Sequence, residues 1–356
     1  KDHPRYSYRE LNDASDMLAR GLQEVGIVKG TRTVLMLKPS LDFFALVFAL
    51  FKVGAVLVAV DPGIGISKLG TCLSEAEPEA FIGNRQAHIA ARLFSWAKNT
   101  IKTRVIVEPW PLFALLMTDL SRLNKLGTES DQPGMNTVQP EDSAAILFTS
   151  GSTGVPKGVN YTHANFIAQV QALQSLYQIQ PGEIDLATFP LFALFAPAMG
   201  MTSIIPDMDF TRPGSVDPEK IFAAVNTFKA TTMFGSPALL RRVGKWGMEH
   251  ARRMPTLKRV LSAGAPVSPR VLQGFSHLLE NDVEIFTPYG ATESLPVASI
   301  GSKEVLGETG KLTAEGKGVC VGRTVEGVTL KIIEITDQAI ASWRDVNVLA
   351  IEQIGE

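Results

Sequence analysis

The stretch Leu147-Phe148-Thr149-Ser150-Gly151-Ser152-Thr153-Gly154-Val155-Pro156-Lys157-Gly158-Val159 decides how the rest of the chain reads. The residues leading into it, 144–148, form an apolar run that suits a buried strand. That run empties into a loop, 149–158, built almost wholly of hydroxyls, glycines and one lysine. Glycine lets a backbone fold tightly and aim successive N–H groups at one point. Gly151 and Gly154 supply that freedom here, and Thr149, Ser150, Ser152, Thr153 and Lys157 add side-chain donors. Such a concavity suits phosphate oxygens. The Walker pattern requires a hydroxyl directly after its lysine. Here Pro156 precedes Lys157 and Gly158 follows it, so this is a different kind of phosphate loop. Composition alone would also allow a plain Ser/Gly turn; the fixed order against a strand argues for a built site.

Two later stretches are strand ends followed by small residues, the places where an open parallel sheet gathers ligands. Ser262-Ala263-Gly264-Ala265-Pro266 follows an apolar run, 257–261, and its small side chains would let a flat ring approach the backbone at Gly264, Ala265 and Pro266. Thr287-Pro288-Tyr289-Gly290-Ala291-Thr292-Glu293 follows a run at 283–286. Tyr289 offers an aromatic face for a base, beside Gly290. Thr292 offers a hydroxyl to an α-phosphate, and Glu293 a hard carboxylate oxygen to Mg²⁺. Singly, Tyr289 reads equally well as core and Glu293 as a solvated charge. In the order Tyr-Gly-x-Thr-Glu, roughly 140 residues beyond a phosphate loop, they read as one nucleotide site.

Together these stretches closely resemble the adenylate-forming superfamily, which includes acyl-CoA synthetases, firefly luciferase and peptide-synthetase adenylation domains. The resemblance extends to Tyr8-Arg9-Glu10-Leu11, Gly30, the stretch from Gly54 to Val58, Gly322-Arg323 and Ile354-Gly355-Glu356. It implies ATP and Mg²⁺ as cofactors, Lys157, Thr292 and Glu293 as catalytic residues, Glu293 as the metal ligand, and adenine near Gly264. It implies an α/β fold with two stacked, parallel-rich sheets and a small β-barrel-like unit. A mobile C-terminal lobe, with its lysine, would lie beyond Glu356. Phe189-Pro190-Leu191-Phe192-Ala193 matches a segment in which histidine is common at the place of Ala193, so a histidine gate is not expected. The apolar stretch after it suits either core or a channel for a long alkyl chain; Phe192, Ala193, Phe195, Met199 and Gly264 are the candidate substrate contacts. Several pieces, among them Asp61-Pro62-Gly63-Ile64-Gly65 and Phe192-Ala193-Leu194-Phe195, are similar to the β-lactone synthetases of bacterial long-chain olefin biosynthesis. That narrower likeness implies a long-chain 2-alkyl-3-hydroxy acid as substrate and other enzymes of one pathway as partners. An acyl-CoA or acyl-carrier ligase is the alternative, and a nucleotide-binding sensor without catalysis a third reading.

The rest of the chain supports an α/β reading. Leu11, Ala14, Leu18, Leu22 and Val25 recur at helical spacing, with Gly26 placed to end the helix. Tyr6-Ser7-Tyr8 reads as a short strand. Helices are expected at 41–51, 66–77, 86–97, 163–176, 218–228, 237–243 and 269–279. Strands are expected at 33–37, 55–60, 80–83, 104–107, 186–189, 231–234, 257–262 and 283–286. This alternation is that of parallel sheets covered on both faces. The polar segment 127–140, with Pro133, Gly134 and Pro140, reads as a connection. It divides the chain into a first α/β subdomain, 1–140, a second, 141–300, and the start of a small β unit, 301–356. Alternating β-branched residues at 328–335 would open that unit.

Length and composition bound the remaining possibilities. With 356 residues, more than one core is expected. The 34 basic and 36 acidic residues give a net charge of −2, with no basic stripe, which argues against nucleic acid. Cys72 and Cys320 make neither a disulfide framework nor a metal cluster, and a reduced, cytoplasmic setting fits. The apolar run 43–60 is interrupted by Lys52 and Gly54, so it reads as helix then strand and not as a transmembrane segment. The five histidines are scattered; His163, at a helix start, suits capping or a local hydrogen bond. No Gly-x-Ser-x-Gly elbow supports serine hydrolysis. A start without Met and an end at Gly355-Glu356 read as a piece of a longer polypeptide.

Overall fold

The computed structural model describes residues 3–60, 64–108, 110, 117–149 and 156–355. Its first helix, α1 (Tyr8–Glu24), begins where a strand is expected. The Ser7 hydroxyl accepts a hydrogen bond from the Glu10 N–H, and the Glu10 carboxylate accepts from the Ser7 N–H, a reciprocal cap that starts a helix. Local capping chemistry therefore wins over the aromatic alternation of Tyr6 and Tyr8.

Strand and helix then alternate. In chain order come β1 (Arg32–Met36), α2 (Leu41–Val53), β2 (Val56–Val60), α3 (Ile66–Ala76), β3 (Ala80–Gly83), α4 (Arg85–Leu93), β4 (Thr103–Ile106), β5 (Thr118–Asp119) and α5 (Leu120–Glu129). The hairpin β6 (Ser143–Thr149) and β7 (Lys157–Thr162) completes a seven-stranded sheet in the order β5-β4-β3-β1-β2-β6-β7, parallel except for β7. Leu57, Ile82, Val105 and Ala145 face one core with α1 and α2. Val34, Val58, Phe81 and Phe148, one residue out of step, face the other with α3 and α4. Burial on both faces explains the near-continuous apolar runs.

Helix α5, whose last three residues fall in the segment expected to be a connection, packs on α1 at very short range. A Cβ on Gly21 would sit 2.2 Å from the Leu123 carbonyl oxygen, and one on Gly127 1.9 Å from that of Met17. Only glycine lets the two helices come this close.

Helix α6 (His163–Tyr177) leads into the second sheet. Its further elements are β8 (Ile184–Ala187), α7 (Phe195–Ala198), β9 (Thr202–Ile204), α8 (Pro218–Phe228), β10 (Thr232–Phe234), α9 (Pro237–Glu249), β11 (Arg259–Leu261), α10 (Pro269–Ser276), β12 (Glu284–Ala291), β13 (Ser294–Gly301), α11 (Ser302–Leu306), α12 (Glu308–Ala314) and β14 (Arg323–Thr324). The strand order is β14-β13-β12-β11-β10-β8-β9. Leu186, Met233, Val260 and Ile285 face a core with α8, α9 and α10. On the other face, Leu261 and Phe286 pack against Tyr177 of α6 and Met199, so α6 lies between the second sheet and β7. The stretch 328–335 forms no continuous strand; Ile333 bridges Val348. Among the described residues no helix is long and apolar enough to cross a membrane.

A polar row crosses the inner face of the second sheet, where Ser203, Asp185, Thr232, Arg259 and Glu284 are register neighbours. Arg259 pairs with Glu183 by both guanidinium nitrogens, one bond to Oε1 being 3.1 Å, and its Nη1 donates to the Thr232 hydroxyl at 2.8 Å. Burial pulls the Glu183 carboxyl up, but Arg259 and the Gln180 N–H more than offset this and hold it below its usual range. Asp185 is different: its carboxyl has no such partner among the described residues, and burial pushes it up to about 7. The folded protein then holds this proton more tightly than the unfolded chain, so stability falls as pH rises from about 4 to 7 and levels off above. Asp185→Asn removes that slope. Comparing urea midpoints at pH 5 and pH 8 should show the parent losing about 2 kcal/mol more than the variant, a buried charge being partly relieved by relaxation. Parallel pH curves would show that Asp185 is not a buried acid.

Candidate nucleotide-binding and acid-activating site

The stretch expected to bind phosphate lies in sequence between β6 and β7. Strand β6 is wedged between β2 and β7, and Thr149 at its end faces Lys157 at the start of β7. The expected contacts Ser150, Gly151, Ser152, Thr153 and Gly154 lie outside the described residues, as does the side chain of Thr149. Pro156 is buried and Lys157 exposed, which leaves its ammonium at the surface. The strand β7 itself is not expected from the sequence, although the alternation of Val159 and Tyr161 signals it.

The carboxyl ends of the second sheet's strands form one rim. Gly235 after β10 donates to the Leu261 carbonyl at 2.9 Å, and Ser262 after β11 donates to Phe286 of β12 at 2.9 Å. The Thr188 hydroxyl after β8 donates to the Phe234 carbonyl at 2.6 Å. Gly264, with φ +91°, Ala265 and Pro266 stand exposed on this rim. The Ser262 hydroxyl beneath them is buried without a partner among the described residues.

The stretch Thr287–Ala291, expected as a loop, is strand. Strand β12 runs on through it and β13 returns antiparallel, with a register shift between Tyr289 and Ala291. A Cβ on Gly290 would meet the Ser294 carbonyl oxygen at 2.6 Å, so the irregularity needs glycine. The Tyr289 ring is half exposed. Thr292 and Glu293 form the turn between the two strands.

A bond between the sheets brings these pieces together. The Tyr161 hydroxyl, on β7, donates to the backbone carbonyl of Thr292. The Gln169 amide of α6 donates to the Tyr161 hydroxyl at 3.2 Å and to the Leu295 carbonyl at 3.0 Å. Lys157 and Tyr161 lie on the same face of one strand, four residues or about 13 Å apart. The strand that begins at Lys157 is therefore tied by a hydrogen bond to the Thr-Glu turn. Neither Tyr161 nor Gln169 carries a sequence motif, and only the fold brings them to this turn. His163 does not cap α6; Thr162 does, its hydroxyl accepting from the Asn165 N–H at 3.2 Å. The His163 ring packs edge-on against Phe51, with Nε2 buried and without a partner among the described residues.

The candidate substrate residues divide. Phe192 meets Phe234 at a centroid distance of 4.6 Å and Phe195 at 6.5 Å; Phe195 meets Phe166 at 6.1 Å, and Phe166 meets Tyr161 at 5.0 Å. An aromatic wall thus runs from the strand rim to the strand bearing Lys157. Ala193 is buried, and Met199 packs in the core with Tyr177 and Met201.

Glu293 is exposed and makes no ion pair among the described residues. No cluster of three or more His, Cys, Asp or Glu able to hold a metal occurs among the described residues either. One uncompensated carboxylate suits Mg²⁺, which takes one or two carboxylates, water and substrate phosphates.

The comparisons with known proteins agree with this architecture. The chain is 48% identical over 349 residues to an olefin beta-lactone synthetase of Stenotrophomonas maltophilia (strain K279a), covering 98% of this chain and 62% of that protein. It is 47% identical over 350 residues to an olefin beta-lactone synthetase of Xanthomonas campestris pv. campestris, covering 98% and 61%. The chain thus spans about three fifths of the length of these relatives. Its fold resembles that of a long-chain-fatty-acid-CoA ligase from Archaeoglobus fulgidus, with a TM-score of 0.77 at 17% identity, over 100% of this chain and 68% of that one. Residues 1–342 match the family described as AMP-binding enzyme, and the chain belongs to that family.

Proposed function

We propose that this chain carries the nucleotide site of an enzyme that activates a long-chain 2-alkyl-3-hydroxy acid with ATP and closes it to a β-lactone. The observation that supports the first step is the hydrogen bond from Tyr161, on the strand that begins at Lys157, to the turn that bears Glu293. A carboxylate is a poor acyl donor because its leaving group would be an oxide. Attack of its oxygen on the α-phosphorus of ATP forms an acyl-AMP anhydride and releases pyrophosphate. Positioning and charge neutralisation carry such a step. Lys157 would hold the terminal phosphates, Thr292 the α-phosphate, and Tyr289 and Gly264 the adenine. Glu293 would hold Mg²⁺, which supplies charge neutralisation on the phosphates. The wall of Phe192, Phe195 and Phe234 would line the alkyl chain.

The second step is supported by the similarity to two proteins named olefin beta-lactone synthetase. The 3-hydroxyl oxygen attacks the acyl carbon and loses its proton, and AMP departs with the electron pair of the anhydride bond. The expected result is that the full-length enzyme, given ATP, Mg²⁺ and the hydroxy acid, releases pyrophosphate and AMP and forms β-lactone without CoA. Product forming only with CoA would make the protein an acid–thiol ligase. No acid-dependent release of pyrophosphate would leave a nucleotide-binding protein without this chemistry.

A further inference from the structure

We infer that Tyr161 and Gln169 are positioning residues that fix the turn bearing Glu293 relative to β7, and so set the enzyme's affinity for Mg²⁺. This inference rests on the proposed adenylation. The turn carrying Thr292 and Glu293 belongs to the second sheet, whereas Lys157 belongs to the first. Two backbone carbonyls of the turn region, those of Thr292 and Leu295, are gripped by side chains from across the seam. The Thr292 carbonyl lies in the planar peptide unit that ends at the Glu293 Cα, so holding that oxygen orients the residue that bears the carboxylate.

The grip is fully satisfied. The phenol donates to Thr292 and accepts from Gln169, whose two amide hydrogens serve the phenol and Leu295. Burial raises the Tyr161 phenol, the hydrogen bond from Gln169 lowers it, and the Glu293 charge adds a smaller rise. The Phe166 ring, tilted against Tyr161, keeps the phenol in place. A second phenol offers a control: Tyr177, at the end of α6, is hydrogen-bonded to the Ser299 hydroxyl of β13 at 3.0 Å, away from the turn.

Tyr161→Phe keeps the ring and removes the grip. In acid-dependent ATP–pyrophosphate exchange by the full-length enzyme, Tyr161→Phe should raise the half-saturating Mg²⁺ concentration about tenfold, the loss of one hydrogen bond. The KM for the acid should stay within twofold. Gln169→Leu should raise the half-saturating Mg²⁺ concentration about threefold, and Tyr177→Phe should leave it unchanged. If Tyr161→Phe and Tyr177→Phe both lower the melting temperature and activity at unchanged Mg²⁺ dependence, the pair is merely structural and the inference falls. If the parent exchanges pyrophosphate and Tyr161→Phe has the parent's Mg²⁺ curve, the inference falls and the adenylation reading stands. If the parent itself shows no exchange with a hydroxy acid or a plain fatty acid, the adenylation reading has failed and takes the inference with it.

Discussion

Lys157→Ala should lower acid-dependent ATP–pyrophosphate exchange about 100-fold or more while leaving the melting temperature within a degree or two of the parent's. The two halves of this expectation have separate causes. Lys157 is exposed at the first position of β7, and its ammonium makes no ion pair among the described residues. Removing it costs the fold almost nothing, since surface substitutions usually stay within about 0.5 kcal/mol. The strand is held by its pairing with β6 and by Tyr161 and Val159, which the substitution does not touch. Charge on a transferring phosphoryl group is another matter. Loss of one preorganised donor in such a site costs about 10²–10³ in rate. Lys157→Arg keeps the charge but not its compact shape, and should recover only part of the activity. A parent-like exchange rate in Lys157→Ala would remove the hairpin from the chemistry.

Arg259→Ala should have the opposite profile, a large loss of stability at a residue on the amino end of β11, away from the rim. Arg259 and Glu183 are both buried, and each is the other's only ionic partner among the described residues. Truncating one member of a buried pair leaves the other charge uncompensated, which costs about 3–5 kcal/mol. Gln180, Thr231 and Thr232 would still offer hydrogen bonds to the orphaned carboxylate, so the lower half of that range is expected. Chemical denaturation monitored by circular dichroism measures it. The double variant Glu183→Leu with Arg259→Met removes both charges at similar volume and should recover most of the loss. The pH dependence has a defined sign. The Glu183 carboxyl sits below its usual range in the folded protein, so the pair's contribution is present above the unfolded carboxyl pKa and disappears as pH falls through the folded one. In the parent this appears as loss of stability below about pH 4, a loss that the double variant should lack. An Arg259→Ala protein as stable as the parent would mean that the pair contributes nothing net.

These two residues also show where reading the sequence succeeds and where it stops. Lys157 was legible because its neighbours are chemically loud: hydroxyls, glycines and a lysine in fixed order behind an apolar run. Arg259 was silent. It sits inside the run 257–262, where a lone arginine in a strand gives no hint of the glutamate 76 positions earlier that neutralises it. The aromatic wall was half legible. The phenylalanines at 189–195 stood out, but whether each faced a cleft or a core depended on α6, β10 and the turn after β8 packing around them.

What the sequence by itself determined is what depends on near neighbours: helix period, strand runs, caps, and the loop whose composition suits phosphate. It therefore yielded most helices and strands, the two-sheet α/β class and the residues Lys157, Gly264, Tyr289, Thr292 and Glu293 as candidates. The tertiary structure alone decided which partners meet across the seam. Tyr161 reaches Thr292 over 131 positions of chain and Gln169 reaches Leu295 over 126. Turning 287–291 into strand required β13 to fold back alongside it. Such contacts are set by the summed packing of distant elements, and no local pattern records that sum.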